Sequence, residues 1–143
     1  MKKRYRSLVL IALAVLGGCS PGYNHWSLSG QGYSEIMVSQ DSFVVSYKGN
    51  AFTPPQDVLR YSLLRAAELT LRAGYKYFVV LSSVDQTTSS NYLNALTQSG
   101  TFTVNSGTMV HPGASIKIRC LNDKPTDAEY FDAQFYWNMN KDE

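Results

Sequence analysis

Two early stretches of the chain alternate apolar and polar positions with period two. Ile36 and Val38 share one side of the segment Glu35 to Ser39, and Phe43, Val45 and Tyr47 share one side of Phe43 to Lys48. Gln40-Asp41-Ser42 between them predicts an antiparallel hairpin, and Gly49-Asn50 closes the second strand with residues that tolerate unusual backbone angles. The period then changes to that of a helix. Leu59, Leu63, Ala66, Ala67 and Thr70 gather on one face with Leu64 and Leu71 beside them, while Tyr61, Arg65, Glu68 and Arg72 gather opposite. Glu68 lies four residues before Arg72 and three after Arg65, the spacing of a solvated ladder of charges. Val58 and Leu69 border that polar face, so a second intramolecular contact is expected there. Thr53-Pro54-Pro55-Gln56 predicts the start, with Thr53 as N-cap, Pro54 at the first helical position and Gln56 reaching back as in a capping box. The helix is expected to run to Ala73, with Gly74 as a left-handed cap.

Beyond it, Tyr75 to Val84 contains the run Phe78-Val79-Val80-Leu81, apolar on both faces and suited to a central strand covered on both sides. From 86 to 113 the chain turns to Ser, Thr, Asn and Gln, the composition of a long polar loop or a protruding hairpin. Alternation returns over Ala114 to Leu121, placing Ile116, Ile118 and Cys120 on one face and Ser115, Lys117 and Arg119 on the other. Thr126-Asp127-Ala128-Glu129 reads as a second capping box, followed by Phe131, Phe135 and Met139 at helical spacing with Tyr130, Ala133 and Trp137 alongside. This order of elements predicts an α+β two-layer sandwich, a mainly antiparallel sheet of about four strands packed by one long helix and a C-terminal helix.

The N-terminus has a different pattern. Lys2, Lys3, Arg4 and Arg6 precede an apolar segment from Leu8 to Leu16 that is too short to cross a bilayer, and Leu16-Gly17-Gly18-Cys19 follows. That block resembles the lipobox of bacterial lipoproteins. The resemblance implies that 1–18 are removed as a signal peptide and that Cys19 is lipidated and holds the protein on a membrane, where two or more acyl chains anchor stably. Ser20 rather than Asp after the cysteine resembles the pattern sorted to the outer membrane, with the domain facing the periplasm. Residues 19–32, rich in Gly, Ser and Asn, read as a flexible tether, and 33–143 as a single globular domain. The leader holds four of the 13 basic residues, leaving nine against 11 acidic ones and a formal charge of −2. No continuous basic surface remains for a phosphate backbone, which argues against nucleic acid as a partner. With Cys19 lipidated, Cys120 has no internal disulfide partner, and its strand parity places it in the core.

Gly32-Tyr33-Ser34-Glu35, Tyr47-Lys48-Gly49-Asn50, Arg65-Ala66-Ala67-Glu68-Leu69-Thr70 and Gly74-Tyr75-Lys76-Tyr77-Phe78, in this order, resemble an uncharacterised family of proteobacterial outer-membrane lipoproteins. The resemblance covers 32–82 well and the remainder loosely. It implies a small exported lipoprotein and brings no catalytic residues with it.

Candidate chemistry is sparse. His25 and His111 are the chain's two histidines, and neither sits in the spacing of a nucleophile and its base. Two isolated His and one core-facing Cys make no metal-ligand set, and Asp123, Asp127, Glu129 and Asp132 read as charges at a helix start. No glycine-rich phosphate cradle is evident. The expectation is therefore a protein without catalytic, metal or cofactor residues, an outer-membrane structural or adaptor module with an envelope protein as its partner. The alternatives are a binding domain for a small periplasmic ligand or glycan, using Trp26 and Tyr92, and a cryptic hydrolase built around His111.

Overall fold

The computed structural model describes residues 23–28, 30–98 and 101–142, with the backbone alone over 92–98 and 101–105. Strands β1 (Gly32–Ser39) and β2 (Ser42–Lys48) form the expected antiparallel hairpin. Helix α1 (Pro55–Arg72) follows, then β3 (Tyr77–Asp85), β4 (Thr88–Gln98), β5 (Thr101–His111), β6 (Gly113–Leu121), the short β7 (Phe131–Asp132) and helix α2 (Ala133–Asn140). The main sheet has five strands in the order β1-β2-β6-β3-β7, every pair antiparallel, and both helices pack on one face of it. The architecture is an α+β two-layer sandwich.

Strand parity builds the core. Phe43 and Val45 on β2, Phe78 on β3, and Ile116, Ile118 and Cys120 on β6 point to the helices, where Ala66, Ala67 and Leu69 of α1 and Ala133 of α2 meet them. Each fully buried Val, Ile or Phe among them contributes about 1.5–3 kcal/mol. Small residues on α1 let its axis approach the sheet, and Thr70, also buried, returns its hydroxyl to Ala66 O at 2.7 Å. Cys120 is 2% exposed, with its Sγ 3.4 Å from Thr70 Oγ1. On the opposite face Lys117 and Arg119 are open to solvent.

Several expectations are corrected, each for a physical reason. The α1 N-cap is Pro54 and not Thr53, because a residue before proline is pushed out of the helical region and Pro54 precedes Pro55. Thr53 closes the preceding turn instead: its Oγ1 accepts from Asn50 N at 3.0 Å. At the other end Gly74 adopts φ +84°, Tyr75 N donates to Thr70 O and Gly74 N to Leu71 O, a Schellman closure. The buried face of α1 is rotated from the apolar stripe: Leu59 is exposed, while Val58, Tyr61 and Arg65 are buried. β3 is not the central strand covered on both sides, since β6 occupies the centre of the sheet and Leu81 is exposed beyond an irregularity between Val80 and Ser82.

The Thr126 capping box is not used. The chain first pairs Phe131 with Phe78 and Asp132 with Tyr77, which postpones helix formation, and Asp132 then caps α2 by accepting from Phe135 N at 2.9 Å. Consequently Ala133, Tyr136 and Trp137 face the core, while Phe135 and Met139 are exposed.

The polar stretch forms a hairpin arm. β4 and β5, 11 residues each, pair with one another as a separate two-stranded sheet. At about 3.4 Å per residue each strand runs about 37 Å. The base of the arm is fixed where Gln86 N donates to Gly113 O and Gly49 N to Pro112 O, both at 2.8 Å. A Cβ on Gly113 would lie 2.8 Å from Gln86 O, so the arm joins the domain through a contact that excludes side chains.

Candidate functional site

The largest departure from the sequence reading lies between β1 and α1. Arg65, assigned to a solvated ladder, is 4% exposed. Its Nη2 donates to Glu35 Oε1 at 2.6 Å and its Nε to Glu35 Oε2 at 3.3 Å, a two-pronged grip on a carboxylate 30 residues away. Its Nη1 donates to Glu68 Oε2 at 2.5 Å. The guanidinium also lies 4.2 Å from the centre of the Tyr33 ring. Burial alone would lower the Arg65 pKa, but its bonds to Glu35, Glu68 and Tyr23 raise it, so it stays charged.

Tyr23 completes this cluster. Its ring stacks on Tyr33 with centroids 4.8 Å apart and lies edge-on to Trp137 of α2 at 6.3 Å, while its hydroxyl donates to Glu68 Oε2. Burial, reinforced by Glu68, pushes the Tyr23 phenol well above the ordinary tyrosine value. Burial also pushes neighbouring Tyr47 up to about 12. Neither ring is a source of protons near neutral pH.

The segment expected to be a flexible tether is docked over its described part. Tyr33 N donates to Asn24 O, Trp26 N to Tyr33 O and Ser27 N to Gln31 O, each at 2.9 Å, so the chain runs beside the start of β1 as a parallel bridge. Gly32 makes this approach possible. It has φ +112°, and a Cβ there would lie 2.5 Å from Asn24 O. The turn at 27–31 is tied to the next one because Asn50 Nδ2 donates to Gln31 Oε1 at 3.2 Å. Thus Tyr33 and Glu35, Asn50, and Arg65 and Glu68, drawn from three of the four blocks quoted for the family resemblance, lie in one connected network around the docked segment.

The remaining candidates are dispersed. Cys19, together with the rest of 1–22, lies outside the described residues. His25 packs edge-on against Tyr33 with centroids 5.3 Å apart, and Trp26 is 46% exposed. His111 Nε2 lies 3.2 Å from Ser90 Oγ across the base of the arm, on an exposed surface. Tyr92 belongs to β4, but its side chain is outside the described residues. Asp123, Asp127 and Glu129 are exposed and sit in the irregular connection before β7, and Asp132 is the α2 cap. Among the described residues no three His, Cys, Asp or Glu side chains gather as a metal site. The described helices include none long and apolar enough to cross a membrane.

Two features therefore stand out: the charged network that docks the described residues before β1, and the arm. From Gln86 to Ile116 the sequence contains no Asp, Glu, Lys or Arg. Comparison of the chain with protein-family models, curated proteins and solved structures finds no match to any of them.

Proposed function

We propose that this chain is a lipoprotein anchored through Cys19 in the outer membrane, facing the periplasm, and that it works without catalysis as an interaction module of the cell envelope. The anchor rests on the basic and apolar leader followed by Leu16-Gly17-Gly18-Cys19. The observation that carries the interaction role is the arm. Among the described residues each of its 11-residue strands pairs only with the other, which leaves an outer edge of backbone N–H and C=O groups on both. Proteins ordinarily guard such edges with lysines or other charges, and this arm has none. An unguarded edge is the template onto which a partner strand adds. The charged groups of the Arg65 network, by contrast, are engaged with one another and support the scaffold.

The test is in-cell crosslinking of the full chain beside a variant whose residues 88–111 are replaced by Asn-Gly. The intact protein should capture an envelope protein that the arm-less variant does not, while both fractionate with the outer membrane. Identical capture by the two would remove the arm from the function. Intact mass of the purified protein checks the anchor, since 1–18 should be absent and Cys19 should carry acyl groups.

A further inference from the structure

We infer that the end of the domain carrying Trp26, Leu28 and Phe52 lies on the lipid surface, held there by these three side chains. The inference rests on the reading of Cys19 as the anchor. Three residues separate Cys19 from Tyr23, so the fully extended connection spans at most about 14 Å at about 3.3–3.6 Å per residue. Helix α1, with its 18 residues, is about 27 Å long. The leash is thus about half the length of the helix, and it does not end in slack chain. Tyr23 is fixed between Tyr33 and Glu68, and the residues after it are hydrogen-bonded to β1. A domain mounted this way cannot turn an arbitrary face to the bilayer.

Two turns that follow the point of attachment in the docked part of the domain expose apolar side chains where turns are ordinarily polar. Leu28 is 110% exposed and Phe52 83%, values for side chains that touch almost nothing of their own chain. Trp26, two residues before Leu28, is half-exposed. The two turns are joined by the Asn50–Gln31 bond, and each is braced from within: Ser27 N bonds Gln31 O, and Phe52 N bonds Asn50 Oδ1 at 2.8 Å. Local folding therefore presents these side chains outward on a rigid support. A tryptophan, a phenylalanine and a leucine exposed on hydrogen-bonded turns have the chemistry of the headgroup boundary, where Trp and Phe insert shallowly while the backbone stays wet.

The chain contains two tryptophans, Trp26 and Trp137, which makes the test spectroscopic. The lipidated protein is reconstituted into vesicles of phosphatidylethanolamine and phosphatidylglycerol, with and without brominated acyl chains. Trp26 emission, taken as the difference between wild type and Trp26→Phe, should shift to the blue and lose at least about half its intensity to the bromolipid. Leu28→Ser with Phe52→Ser should reduce that quenching severalfold without changing flotation. Flotation with Trp26 unquenched overturns this inference alone. Failure to float overturns the anchor and this inference together. An unquenched Trp26 whose blue shift grows with protein concentration would assign the patch to a second copy, and also overturns it.

Discussion

The Tyr23 hydroxyl donates to Glu68 Oε2 at 2.5 Å across 45 residues of sequence. It is the last link of a chain of contacts that starts at Glu35 and passes through Arg65, joining the edge strand, the long helix and the segment that precedes the fold.

Replacing Arg65 by Ala leaves two carboxylates without their shared cation. Loss of one partner from a buried ion pair costs about 3–5 kcal/mol, and the partial exposure of Glu35 and Glu68 places this case near the lower figure. Urea denaturation should show it as a lowered midpoint. Tyr23→Phe keeps the ring stack, loses one hydrogen bond to a charged group, and should cost about 1.5–3 kcal/mol. Hydrogen exchange at Trp26 and Ser27 should accelerate in both variants, and unchanged exchange would mean that docking of the segment does not depend on the cluster.

Stability should also respond to acid through Glu68. Burial pushes its carboxyl up, but hydrogen bonds from Tyr23 and Arg65 and the charges of Arg65 and Arg72 more than offset this and hold it below its ordinary value of 4.5. A carboxylate with a depressed folded pKa contributes stability in full above its unfolded value, and that contribution disappears as the pH falls through the folded one. The urea midpoint of the wild type should decline from about pH 4.5 downward, and Glu68→Gln should decline less steeply over the same range. Parallel curves would show that Glu68 contributes nothing to the acid limb.

The helix starts separate a used cap from an unused one. Asp132→Ala removes the acceptor for Phe135 N and should destabilise by about 0.5–2 kcal/mol, whereas Thr126→Ala should leave the denaturation midpoint where it is. Equal effects would place the α2 start where the sequence pattern puts it.

Cys120 should react slowly with thiol reagents in the folded protein and quickly in urea. It is buried at the centre of the sheet, and burial pushes its thiol pKa up, so little thiolate forms near neutral pH. Labelling of native protein at the rate of the unfolded chain would contradict the strand assignment.

What the sequence disclosed was whatever depends on neighbours along the chain. The β1–β2 hairpin, the left-handed Gly74 and the inward face of Ile116, Ile118 and Cys120 all follow from local period and turn chemistry, and the structure has each of them. Arg65 was illegible for the opposite reason. Nothing within a helical turn distinguishes it from a solvated arginine, and only the carboxylate of Glu35, delivered by the edge strand, makes its burial favourable. The docked segment was missed because its order comes from backbone bonds to β1 and from the missing side chain at Gly32, neither of which leaves an apolar period. At Thr126 a correct local pattern lost to a strand pairing available only after folding.

The strand order has a consequence for the timing of assembly. β6, the centre of the five-stranded sheet, is also among its later strands in sequence, and it must insert between β2 and β3. Its pairing with β2 closes a loop that contains α1, β3 and the whole arm, an entropic demand met only once both ends are present. A chain emerging N-terminus first can close the β1–β2 hairpin and begin α1, yet the inner edge of β2 stays unpaired until Ile116 and Ile118 arrive. Newly made molecules therefore pass through an interval with a half-built sheet and an unguarded arm, the stretch of the protein's life in which a chaperone would have most to hold.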